Sequence, residues 1–204
     1  MRSYTFHVSI PGTGRTWRKI ELPAHYTLSH LHHAIQSAFR FSNDHLYSFF
    51  MSGKAWDSNS DYRLPEGTSP WAIGEVGSAE EVELEAQRHA EARQKQEQLM
   101  REEYKHEIQD ALGAVNLPEK TFQAMLNLFM ENGISRQSGN VLTTRLGSLR
   151  LKRKQTFMYL FDYGSEWRFK VRVHAINENA DPNADYPRIV ESVGTPPRQY
   201  GGWD

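Results

Sequence analysis

No cysteine occurs in the 204 residues. That excludes disulfides and thiolate metal sites, and it suits a reducing compartment, so a cytoplasmic location is expected. No apolar run approaches the roughly 20 residues needed to cross a bilayer. Met1-Arg2-Ser3-Tyr4 leads directly into a strand pattern rather than a secretory leader, and no membrane role is expected. There is no Gly-x-Ser-x-Gly elbow, no Walker lysine loop and no His-Glu-x-x-His pair, which removes the common signatures of hydrolases, nucleotide hydrolases and zinc proteases. No internal repeat is present.

Neither sign of charge dominates, since the formal net charge is −1. The balance hides a segregation. From Glu75 to Asp110, ten Glu and one Asp outnumber three Arg and two Lys, a formal −6. From Thr143 to His174, five Arg and three Lys face only Asp162 and Glu166, a formal +6. Such blocks read either as two solvated faces or as a basic surface for an anionic partner.

What is present is strand alternation. Trp167, Phe169, Val171, Val173 and Ala175 alternate with Arg168, Lys170, Arg172 and His174, which predicts one apolar and one polar face. Phe157 to Phe161 supplies the other arm of a hairpin, turned at Asp162-Tyr163-Gly164, with Gly164 expected to take the positive φ. Near the N-terminus, Tyr4, Phe6, Val8 and Ile10 alternate likewise, and Thr16 to Leu22 returns after Pro11-Gly12-Thr13-Gly14. Thr27 is an expected N-cap for a helix to Phe39 with Leu28, Leu31, Ile35 and Phe39 on one stripe. His32 falls on that stripe, with His30 and His33 flanking it. Leu46 to Ser52 reads as an aromatic strand, and Asp57-Ser58-Asn59-Ser60-Asp61 as an Asx-turn loop without the Gly and Glu of a calcium loop.

Ser78-Ala79-Glu80-Glu81 is a capping box that opens a charged helix to about Leu112. Pro118 opens a second, with Phe122, Met125, Leu126, Phe129 and Met130 at helical spacing. Leu142 to Leu151 reads as a short helix or turn. A proline-rich tail from Pro182 is expected to lie irregularly over the surface.

Five segments, in order, resemble the plasmid pRiA4b ORF-3-like family. They are Trp17-Arg18-Lys19-Ile20-Glu21-Leu22-Pro23, Thr27-Leu28-Ser29-His30-Leu31-His32, His45-Leu46-Tyr47-Ser48-Phe49, Phe161-Asp162-Tyr163-Gly164-Ser165-Glu166-Trp167, and the tail Tyr186-Pro187-Arg188 through Gly194, Pro196-Pro197 and Gly201-Gly202. The resemblance implies an α+β fold, a mostly antiparallel sheet with packed helices. It also implies one discontinuous domain of residues 1–77 and 142–204, with residues 78–141 a helical insertion. It implies no reaction. The sequence departs from the family pattern at Ser165 and Phe169, where relatives carry Asp and His.

Three functional readings follow, in order. The first is a non-catalytic binding module, with residues 78–141 contacting a protein partner or a second copy. The second is nucleic-acid binding through the basic face formed by Arg150, Lys152, Arg153, Lys154, Arg168, Lys170 and Arg172. It is supported by Asn132 to Ser138, which resembles the turn of a helix-turn-helix whose second helix would contain Gly139. The third is a metal-dependent enzyme using His32, His45 and Asp162, residue types that ligate zinc or iron when three or four converge. No cofactor is expected.

Overall fold

The structure, a computed structural model, describes residues 1–112, 117–133 and 139–200. The chain divides into two compact units, Met1–Ala86 with Ser138–Asp204, and Gln87–Gln137.

The first unit is built on an eight-stranded sheet. Its strands are β1 (Ser3–Ser9), β2 (Trp17–Pro23), β3 (Tyr47–Phe50), β4 (Asp61–Arg63), β5 (Gly139–Asn140), β6 (Thr156–Phe161), β7 (Trp167–Asn177) and β8 (Arg188–Val193). They run in the order β5-β4-β3-β6-β7-β1-β2-β8, antiparallel except for β4 with β5. An α+β fold with a mostly antiparallel sheet is therefore what the chain adopts. The two ends of the sequence meet in the middle of the sheet, where β1 pairs with β7. The return to the sheet comes at Gly139–Asn140 and the buried Val141, ahead of Leu142.

One face of the sheet carries the core. Phe6 of β1 faces Ile20 of β2 and Val173 of β7, and Tyr159 of β6 faces Phe169 and Phe49. All six side chains are buried. Helix α1 (Leu28–Phe39) belongs to the same core through its predicted stripe, Leu28, Leu31, Ile35 and Phe39, each fully buried. Thr27 is its N-cap, and His30 at N3 completes a capping box, an imidazole doing what Glu or Gln usually does.

Three local expectations change. The hairpin turn places Asp162 (φ 55°) and Glu166 (φ 49°) in the left-handed region, not Gly164. Asp162 bears this because its Oδ1 accepts the Gly164 and Ser165 amides, a local bond that Asp and Asn can make there. The tail is not irregular throughout: Arg188–Val193 is an edge strand on β2. Gly139 begins a strand, and residues 141–150 form turns, so no recognition helix follows the Asn132–Ser138 segment. Residues 134–138 of that segment lie outside the described residues.

Helix α2 spans Ala79–Leu112, and in the second unit its later turns and α3 (Glu119–Gly133) pack Ile108, Tyr104 and Met100 against Phe122, Leu126 and Met125. The Phe129 and Met130 side chains lie outside the described residues. The Ser78–Glu81 capping box at the start of α2 forms in both directions.

Arg18 shows how the edge of the sheet is tied to the helix. It faces the core from β2, opposite Val8, and is buried. Its guanidinium donates to the carbonyls of Ala38, Trp17, Val193 and Gly194 at 2.7–3.1 Å and lies 5.2 Å from the Phe39 ring centroid. A cation on the last-turn carbonyls of α1 is favourable to the helix dipole. Arg18→Met keeps the aliphatic stem but leaves buried carbonyls unpaired, and is expected to cost about 2–3 kcal/mol in urea unfolding. A loss below about 0.5 kcal/mol would contradict this role.

Candidate functional site

The three residues proposed for a metal do not form one site. His32 is fully buried on α1, its ring stacked on Tyr47 with centroids 3.6 Å apart and planes 3° from parallel. Its hydrogen bonds have a single consistent direction. Gln36 Nε2 donates to Tyr159 Oη (2.7 Å), so the Tyr159 hydroxyl donates to His32 Nδ1 (2.6 Å). His32 Nε2–H then donates to Asn43 Oδ1 (2.6 Å), and Asn43 Nδ2 to His33 Nδ1 (3.3 Å). Both His32 nitrogens are used by the neutral ring, and burial, with His33 nearby, pushes its pKa well down. This imidazole is a structural member of the core.

His45 sits on the surface before β3 and donates from Nδ1 to Asp44 Oδ1 at 2.8 Å. Asp44, which sequence reasoning passed over, is the hub of this corner. Its carboxylate also accepts from Tyr200 Oη (2.5 Å) and Gln199 Nε2 (3.1 Å), fastening the tail to the loop after α1. Burial acts against the Asp44 charge, but those hydrogen bonds outweigh it and hold the carboxyl below its ordinary value. Burial and then the Asp44 bond push the Tyr200 hydroxyl up to about 12. Asp162 is near enough to His45 to sense its charge. Its own Oδ1 is occupied by the turn amides, whose bonds outweigh burial and lower its pKa. Among the described residues, no three His, Asp or Glu side chains converge as metal ligands.

The basic face is a different matter. On β7, Arg168, Lys170 and Arg172 are exposed, and alternate residues Phe169, Val171 and Val173 are buried. Register then assembles rows across the outer face of the sheet. In one row Lys19 of β2 lies opposite His7 of β1, which lies opposite Arg172 of β7, which lies opposite Thr156 of β6. The next row holds Trp17, Ser9, Lys170 and Met158. His7 stacks on Trp17 (centroids 4.8 Å, 30°), and Lys19 Nζ stands 5.4 Å from the same ring.

Charges of one sign placed directly opposite each other destabilise a sheet. The imidazoles register the strain. Burial first, then Arg172, with His174 and Lys19 behind, lowers the His7 pKa. Burial first, then Lys19, Arg172 and Arg153, lowers that of His174, against the opposing pull of Glu191. Arg153, in the 150–154 loop that leads into β6, thus acts on the same face.

Of the seven cations predicted from sequence, Arg168 is bound to Glu166, whose other oxygen accepts the Trp56 indole N–H. The side chains of Arg150, Lys152, Arg153, Lys154, Lys170 and Arg172 have no acidic partner among the described residues. His7, Lys19 and Trp17 were missed because they sit on strands more than a hundred residues from β7. The only sequence signal was the polar phase of β1 and β2.

At the opposite edge of the sheet, a groove of about 730 Å³ is lined by Arg63, Leu64, Thr68, Asn140 and Tyr163, among others. None of the predicted site residues lines it.

The fold and this face define an α+β protein whose sheet carries its core on one face and a basic, partly ion-paired surface on the other. The chain belongs to the plasmid pRiA4b ORF-3-like family, whose model matches residues 2–204. Among solved structures it is similar to a protein of unknown function from Methanosarcina mazei Go1, at 17% identity and a TM-score of 0.50, over 94% of this chain and 69% of that one. At that identity the likeness shows the fold alone. The comparison with curated proteins finds no match. Among the described residues, no helix is long and apolar enough to cross a membrane.

Proposed function

We propose that this protein is a non-catalytic binding module and that its outer sheet face, with the 150–154 loop, binds nucleic acid. The observation that carries the reading is the run of cations on β7 and in the 150–154 loop, six of them without an acidic partner among the described residues, with Lys170 and Arg172 in the cross-strand rows that also hold Trp17 and His7. Backbone phosphates are held by clustered Lys and Arg, and an open sheet bearing aromatic rings suits single strands, whose bases can stack on it. The absence of catalysis is supported by what the best acid–base candidates already do. Both nitrogens of His32 are engaged in the core, and Asp162 Oδ1 is engaged by the turn amides.

The test is fluorescence anisotropy with a short single-stranded oligonucleotide over a salt series. Affinity is expected to fall steeply with salt. Lys170→Glu/Arg172→Glu, both exposed, is expected to weaken binding at least about tenfold with little change in thermal stability. Binding that ignores salt, or that survives the double charge reversal, would overturn the proposal.

A further inference from the structure

The row Lys19–His7–Arg172 has a property that a plain basic patch lacks. Its central member is an imidazole, the one side chain whose ordinary charge change lies near neutral pH. Strand register holds it between two permanent cations, with direct cross-strand partners on both sides. His174, the residue at the irregularity between β1 and β7, stands beside the same row. We propose that His7 and His174 form, with Lys19 and Arg172, a phosphate-binding subsite that takes up a proton when it binds a phosphodiester, so that the face holds nucleic acid more tightly as pH falls. This rests on the nucleic-acid reading above and adds to it the group recognised and its regulation.

The physical argument runs through the neighbours of each ring. Around His7 are Arg172 and His174 of β7, Lys19 of β2 and the Trp17 ring, with no carboxylate among the groups that act on it. Around His174 are Lys19, Arg172 and Arg153, with Glu191 the one opposing charge, and Glu191 is itself held by Lys19 at 2.7 Å. In the free protein burial first, and these cations behind it, disfavour the charged form of both rings. A phosphate oxyanion laid between Lys19 and Arg172 reverses that field. The imidazolium becomes favourable, and as an N–H donor it can bond the phosphate directly. A group that binds a proton more tightly in the complex than in the free protein makes affinity rise as pH falls. Buried histidines such as His32 cannot do this, because both ring nitrogens are already engaged in the core.

The experiment measures the affinity of the full chain for a short oligothymidylate at fixed low salt, at about pH 8 and about pH 6. Binding is expected to tighten about tenfold on going to the lower value. In His7→Gln/His174→Gln, which keeps polar side chains on the half-exposed face, the ratio of the two affinities is expected to fall to about one. A second readout needs no variant. In the unsubstituted protein, the His7 and His174 ring resonances should titrate below the ordinary histidine range when free and move upward on adding oligothymidylate. Salt-dependent binding with no pH dependence, or a pH dependence that survives the double substitution, overturns this inference and leaves the nucleic-acid reading standing. No binding at either pH overturns both.

Discussion

Replacing His32 with alanine is expected to lower the unfolding free energy by about 4 kcal/mol. The change removes a fully buried ring in close stacking contact with Tyr47 and opens a cavity among Tyr47, Tyr159 and Phe161. It also leaves the fully buried Tyr159 hydroxyl without its acceptor and the half-buried Asn43 carbonyl without its donor. Tyr159→Phe keeps the ring and removes only the hydroxyl, stranding His32 Nδ1 and Gln36 Nε2. It should cost less, about 1–3 kcal/mol. His45→Ala removes an exposed ring hydrogen-bonded to Asp44 and should cost about 0.5 kcal/mol or less. Urea denaturation of the three variants checks the order. A His32→Ala loss below about 1 kcal/mol would mean that this imidazole is not a core member and is free for chemistry.

Mild acid should destabilise the protein through its buried histidines. His25, His30, His32 and His33 crowd the start and body of α1, and burial is the leading cause that lowers the pKa of each. For His30 the value falls to about 4. The unfolded chain takes up these protons at an ordinary histidine pKa of about 6.5 and the folded one does not. The stability they represent is therefore complete above about pH 6.5 and is lost as pH falls through about 6.5 toward 4. His30 alone accounts for roughly 2 kcal/mol over that window, once solvent screening of its partly accessible ring is allowed for. The Asp44 and Asp162 carboxyls, held below their ordinary range, weaken only at lower pH still. Urea midpoints measured along the pH axis should fall steadily between those limits. A flat profile down to about pH 4.5 would contradict the neutral burial of the four rings.

Much of the architecture could be read directly from the chain. The alternation in β7 marked Phe169, Val171 and Val173 as core and Arg168, Lys170 and Arg172 as surface, because a strand has only two faces. The 3.6-residue stripe from Leu28 to Phe39 and the Thr27 cap set α1, and the Ser78–Glu81 box set the start of α2. These are local signals, decided by neighbours within a turn or two. The Arg188–Val193 strand was not legible in this way. Edge strands are exposed on both faces, as this one is over almost its whole length, and so carry no alternation to read.

The site was harder to read, for a reason that His32 and His7 illustrate together. His32 was picked out by residue type and its place in a helix motif, yet its partners Tyr159 and Asn43 complete both ring nitrogens. His7 looked like one more polar residue in an alternating strand, yet it is the centre of a charged row. By itself the sequence determined which residues face inward, where helices begin and which stretch is basic, because those follow from spacing along one segment. Only the tertiary structure decided which charges stand opposite each other, because strand register is set by pairing between segments far apart in the chain, and electrostatic coupling depends on distance in space.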